Sequence, residues 1–388
     1  MYIYWYVLIA IVLNGIIMGH NRKWFVGSSF FLVTLLAALR KYTVGIDLEV
    51  HYADRFSTIA HLPWNQLITY QKAHTYDLGF IVFDKVLGTI SDNPQFFIVV
   101  TSIIIYGLTA RYIYRHSDNV VLETFMFITS FTMMMYMNII AQALAIAIIL
   151  FGLDFLADKK YVKYAFCVLI ATTIHTSAIV CIGFIPLLNL PNKKKYVVEY
   201  ITAVGIGSLF LDKIITVLIR TVFSEFASYF ETGSYHGAGI NVSANSLFQI
   251  SMHALALIIA FLFLYKNGKA EESRLSLYSK RKVSLLSKKN VVTEVGQLPT
   301  SFLMYMSVTA CVFRIIVYQS YIFSRMGFYF YFFSFSLLAR GVAGIKNRSN
   351  KKIITSFLYL YMIIMFLVFY KSAGVNSYGV LPYAFFWD

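Results

Sequence analysis

Charge is scarce in this sequence. Asp, Glu, Lys and Arg together make up 13% of 388 residues, while 59% are hydrophobic. Soluble domains carry about a quarter charged residues, so this scarcity excludes a soluble enzyme or a nucleic-acid-binding module. Cysteine is nearly absent: Cys167, Cys181 and Cys311 sit in apolar runs, at no spacing that would ligate a metal, and read as inert core thiols. No glycine-rich phosphate loop, internal repeat or low-complexity tract is found. The first apolar run, 2–18, has no basic segment before it and no small-residue cleavage site after it, so it reads as a retained span. The longest polar stretches, 40–92 and 266–297, leave no room for a separate soluble domain.

What is present is hydrophobic length. Mean hydropathy is +0.68, and apolar runs fall at 2–18, 24–39, 95–113, 120–136, 138–157, 197–211, 245–265, 299–318, 322–340 and 353–370. Most approach the 17–25 residues that cross a bilayer as a helix. A further run at 163–191 is too short for two full crossings and reads as a bent hairpin or tight pair with His175 at its tip. The expected fold class is therefore all-α, a single polytopic membrane domain of about ten full spans plus the hairpin.

The formal charge of +15 might point to nucleic acid, but its distribution does not. With both termini outside, most of the 33 basic residues fall in inner loops, above all at 266–298, where they face anionic lipids. The outer side then holds the loop 40–92, a segment at 212–244 and the tail 371–388. Tyr76–Ile90 is amphipathic at helical period, as is 212–230, and both fit interfacial helices.

Polar groups at membrane depth are the functional candidates, because burying an ionised group there costs about 2.5 kcal/mol or more. Arg40 and Asp47 frame a loop at the mouth of the second run. Asn138 and Gln142 share one helical face with Ala141 beside them, as interhelical glue or as ligand contacts. His175 lies among small hydroxyl residues at the predicted bend, either as a packing residue or as a proton acceptor. Arg314 and Arg325 lie near the outer ends of their spans, snorkelling or binding, with Tyr329 one turn beyond Arg325. Asp84 with Lys85 reads as a solvated edge. Guanidinium groups suit diphosphate, because their planar fork binds phosphate oxygens in pairs and stays charged. Cations, a proton acceptor and no metal cluster suit group transfer from a diphosphate leaving group.

These pieces, in order, resemble the Wzy-type polysaccharide polymerases in their EpsG-like branch: Arg40-x-x-x-Val44-Gly45-x-Asp47 with Tyr52, Tyr76-Asp77-x-Gly79-Phe80, Asn138 and Gln142, His175-x-Ser177-Ala178, Arg325-x-x-x-Tyr329, and a tail near Pro382-Tyr383. The resemblance covers nearly the whole chain. It implies a GT-C-like, metal-independent bacterial glycosyltransferase of the cytoplasmic membrane. Such an enzyme uses undecaprenyl-diphosphate-linked oligosaccharides as donor and acceptor on the outer face, without cofactor, to build capsule or exopolysaccharide. A flippase and a chain-length regulator are implied partners. On this reading Arg40, Arg325 and Arg314 hold the diphosphate, and Asp47 or His175 takes the acceptor proton. Asp77, Gln142, Asn138, Tyr52 and Tyr329 contact or orient substrate. Of the two bases, histidine is the side chain suited by nature to proton transfer near neutrality. The family pattern has an arginine where this chain has Ala141, through native divergence or through inactivation. A glycan ligase shares nearly all of this chemistry; a lipid-linked sugar transporter and a membrane O-acyltransferase are the rivals from other classes.

Overall fold

The computed structural model describes residues 2–74, 76–191, 193–210, 244–264, 296–316, 321–373 and 378–388. The segment expected at 212–244 and the basic loop expected at 266–298 lie almost wholly outside these residues. Every regular element among the described residues is helical. By contacts the chain divides into two compact units, residues 1–183 with 356–388, and residues 184–355.

The first unit contains α1 (Ile3–Met18), α2 (Arg22–Ala38), α3 (Ala53–His61), α4 (Leu67–His74), α5 (Leu78–Gly88), α6 (Pro94–His116), α7 (Val120–Thr129), α8 (Thr132–Asn138), α9 (Ile140–Ala157) and α10 (Tyr161–Ile174). Sequence sets the starts. Asn21 accepts from the Trp24 N–H, Asn119 from Leu122, and Asn93 from Gln95 with Pro94 at the first helical position. Helix α6 packs on α2 and α9, and α9 on α10. Helix α9 is almost uniformly apolar and buried, as a central span should be.

The second unit contains α11 (Phe184–Asn189), α12 (Lys194–Leu209), α13 (Ala244–Phe263), α14 (Thr300–Ile316) and α15 (Tyr321–Ala343), with α16 (Arg348–Ala373) running on into the first unit's sequence. Helices α13, α14 and α15 pack on one another. Phe184, Phe302, Phe330 and Phe333 interlock edge to face, with centroids 5.4–6.1 Å apart.

Among the described residues, four helices are long and apolar enough to cross a membrane: Pro94–His116, Ile140–Ala157, Arg325–Ala343 and Arg348–Lys371. Five shorter apolar helices accompany them among the same residues. The run expected as one continuous span at 120–136 is broken into α7 and α8, bent by 54°. At the break Phe131 takes a left-handed backbone, φ 71°, and the Ser130 and Thr132 hydroxyls meet at 2.9 Å. The hairpin expected around His175 takes definite form. Helix α10 ends there in extended backbone, and a 3-10 segment, Thr176–Gly183, folds back so that the Tyr164 hydroxyl donates to the Cys181 carbonyl at 2.8 Å.

Helix α5 crosses against α10 where Gly79 meets Thr173. A Cβ at Gly79 would stand 2.6 Å from both the Thr173 Cβ and its carbonyl oxygen, too close for either helix to keep its place. At Gly107 on α6 an added Cβ meets nothing within 4 Å. Gly79→Ala is therefore expected to lower unfolding stability by about 1–3 kcal/mol. Gly107→Ala is expected to raise it by about 0.5–1 kcal/mol. Thermal unfolding in detergent reads both, and equal shifts would contradict the close crossing.

Candidate active site

The loop after α2 is irregular, so its backbone groups need partners from elsewhere in the chain. The C-terminal tail supplies them. Lys41 N–H donates to the Ala384 carbonyl at 2.9 Å, Gly45 to Gly379 at 2.9 Å, Ile46 to Tyr378 at 2.9 Å, and Phe386 returns a bond to Leu39 at 3.0 Å. The Tyr4 and Tyr383 hydroxyls donate to the carbonyls of Val380 and Leu36, each at 2.8 Å. Gly45 sits at φ 118°, a conformation open to glycine and costly to other residues. The backbone N–H of Asp47 donates to Asn138 Oδ1 at 2.8 Å, fixing the loop to the end of α8.

Arg40 is enclosed, with 1% of its surface exposed. Its Nη1 donates to the Ala37 carbonyl and to Ser102 Oγ at 3.3 Å, and its Nη2 donates to the Met137 carbonyl at 3.0 Å. In this structure the guanidinium braces α2, α6 and α8 against one another. Asp47 is half-buried at the start of a wide π-turn, Leu48–Tyr52. Tyr52 closes that turn, its hydroxyl 3.5 Å from the Ala141 N–H, so the position where the family pattern has arginine lies beside this phenol. Gln142 is buried on the next residue of α9.

The other half of the motif set meets at the hairpin tip. Asp77, just before α5, faces His175, with Oδ2 3.5 Å from Nδ1. Its Oδ1 accepts from the Thr176 N–H at 3.2 Å and from the Thr176 hydroxyl. The two side chains keep 26% and 27% of their surface exposed. His175 Nε2 has no hydrogen-bond partner among the described residues. A carboxylate behind one ring nitrogen orients an imidazole and stabilises its protonated form, leaving the other nitrogen to work.

Between these groups lies a feature that sequence reasoning missed. Arg55 on α3 pairs with Asp84 on α5, Nη2 at 2.8 Å and Nε at 3.0 Å from Oδ2. The guanidinium is ringed by Tyr52, Tyr76 and Phe80 at 4.9, 5.0 and 4.4 Å. Tyr52 touches Phe80 edge on at 5.6 Å. Asp84 is fully buried and Lys85 nearly so, its ammonium on the Ala60 carbonyl at 2.9 Å. The solvated edge expected for this pair is thus corrected: α5 turns these residues onto α3, where a partner 29 positions away receives Asp84. Burial pushes the Asp84 carboxyl upward, with the Arg55 charge and hydrogen bond pulling it back. Asn138, three residues before Ala141, holds Asp47; Ala141 meets Tyr52, Tyr52 meets Phe80, and the helix that carries Phe80 opens at Asp77 beside His175.

Arg314, Arg325 and Tyr329 belong to the second unit. Arg314 is half-buried in the last turn of α14, beside the Tyr331 phenol and the His253 ring. Arg325 is half-buried near the start of α15, and Tyr329 is buried one turn on. His253 on α13, which the sequence did not single out, is fully buried with Nδ1 2.8 Å from Ser334 Oγ.

Removing one partner of a buried ion pair strands the other charge. Arg55→Leu is expected to cost about 3–5 kcal/mol. The double variant Arg55→Leu/Asp84→Leu should recover most of that loss in chemical unfolding. A double variant no more stable than the single would show that Asp84 does not depend on Arg55.

A sequence profile described as the EpsG family matches residues 23–385. No curated protein and no solved structure matches the chain. With the match running from the first turn of α2 into the C-terminal tail, the chain belongs to the EpsG family, a membrane protein family related to the Wzy-like polysaccharide polymerases.

Proposed function

We propose that this protein polymerises undecaprenyl-diphosphate-linked oligosaccharide repeat units into capsular or exopolysaccharide on the outer face of a bacterial cytoplasmic membrane. The observation that carries the reading is the His175–Asp77 pair at the tip of the α10 hairpin. In the proposed step His175 Nε2 accepts the proton of the acceptor sugar hydroxyl as that oxygen attacks the anomeric carbon of the donor. Asp77 stabilises the resulting imidazolium. The bond to the donor diphosphate breaks, and the lipid diphosphate leaves with the electron pair.

Within this proposal the leaving diphosphate is neutralised by guanidinium groups without a metal. Arg40, bonded to two carbonyls and a hydroxyl, is assigned to bracing the loop that carries Asp47. Tyr52, Asn138 and Gln142 line and orient the loop end of the same assembly. The ten-span, GT-C-like topology with both termini outside, and supply and length control by a flippase and a chain-length regulator, belong to this reading.

The test separates binding from turnover in purified protein given lipid-linked repeat units. His175→Asn and Asp77→Asn are expected to lower polymer formation by about 100-fold or more, with Asp77→Asn the milder. Binding of undecaprenyl diphosphate should stay within twofold of the native protein. Polymer ladders of native intensity from His175→Asn would overturn the base assignment.

A further inference from the structure

The far end of α6 carries basic side chains for which the proposed reaction has no use. Arg111 and Arg115 stand one turn apart, His116 follows, and all three reach the one carboxylate of Asp154 near the end of α9. Arg111 Nη2 and Arg115 Nε share Oδ2, the latter at 3.0 Å, and His116 Nε2 lies 2.7 Å from Oδ1. Arg22 adds its guanidinium to the carbonyls of Ile113, at 3.1 Å, and Tyr114, at the negative pole of the helix. His116 is buried and stacked on Tyr112 at 5.0 Å. Arg111 lies over the Phe151 ring at 4.6 Å.

Both helices are long and apolar enough to span, so their last residues come at headgroup depth. There Arg111 and Arg115 keep 32% and 25% of their side chains exposed. Arg115 meets Asp154 only through Nε, in a charge contact of 3.0 Å without a hydrogen bond. Its two terminal nitrogens have no hydrogen-bond partner among the described residues. A guanidinium that turns Nε toward a carboxylate leaves its terminal fork open to two oxygens of one phosphate. Arg111, one turn back on the same face, adds the second positive charge.

We infer that Arg115, supported by Arg111, binds the phosphate of an anionic phospholipid at this end of α6 and α9. Phosphodiester headgroups are the phosphate source held at that depth, and the aromatic rings of Tyr112 and Phe151 flank the cations there. This inference does not depend on the polymerase reading.

The experiment measures thermal unfolding of the full chain in nanodiscs of phosphatidylcholine, plain or doped with phosphatidylglycerol. Phosphatidylglycerol is expected to raise the native melting temperature. Arg115→Gln should keep less than half of that rise, Arg115→Lys an intermediate share, and Lys163→Gln, a control for bulk charge, nearly all of it. Melting in plain phosphatidylcholine reads separately any cost to the Asp154 cluster. Inorganic phosphate added to plain discs should leave the melting temperature unchanged. The inference is overturned by equal melting in the two discs, by equal behaviour of Arg115→Gln and Lys163→Gln, or by inorganic phosphate reproducing the rise.

Discussion

Irregular backbone at the end of a membrane span survives only where the protein itself satisfies its N–H and C=O groups. In the first unit that constraint is met by threading the C-terminal tail along the loop after α2, through the four backbone bonds between 39–46 and 378–386. Asn138 then ties the same loop to the break between α8 and α9. The break, the loop and the tail are three irregular stretches that satisfy one another. Asp47 and Tyr52 inherit their positions from that arrangement.

A second constraint works below the first. The short helices α3, α4 and α5 are too small to be stable alone, and they share a small apolar core of Ile59, Leu67 and Ile81. Arg55 is the polar centre of this patch, neutralised by Asp84 and covered by three aromatic rings. By holding Tyr76 and Phe80 it also holds the turn between them, from which Asp77 reaches His175. Gly79 lets this turn lie directly against α10. The dyad is thus the product of a rigid support rather than of local chain preference.

Much of this was legible in the sequence. The all-helical membrane class follows from hydropathy alone, and the bend at His175 from a run too long for one crossing and too short for two. Gly45 and Gly79 stood out in the motifs, and each has a physical reason, a left-handed backbone at one and a helix crossing at the other. The sequence could not say that Arg40 would turn inward to carbonyls, because an arginine at a span end looks the same whether it meets a ligand or the backbone. Asp84 was misjudged because its partner is 29 residues away and no periodicity announces it. His253 was overlooked for a similar reason: its partner Ser334 lies 81 positions downstream. The Asp154 cluster joins two helices whose charges, read singly, are ordinary members of basic loops.

The central claim is that the hairpin tip, with its imidazole oriented by a carboxylate, is where the acceptor sugar meets its proton acceptor. The most direct measurement is a cryo-electron microscopy map of the protein bound to an undecaprenyl-diphosphate-linked repeat unit. The account predicts glycan density within hydrogen-bonding distance of His175 Nε2, with Asp77 on the opposite side of the ring. Glycan density enclosed by other residues, with His175 facing only lipid or solvent, would contradict it.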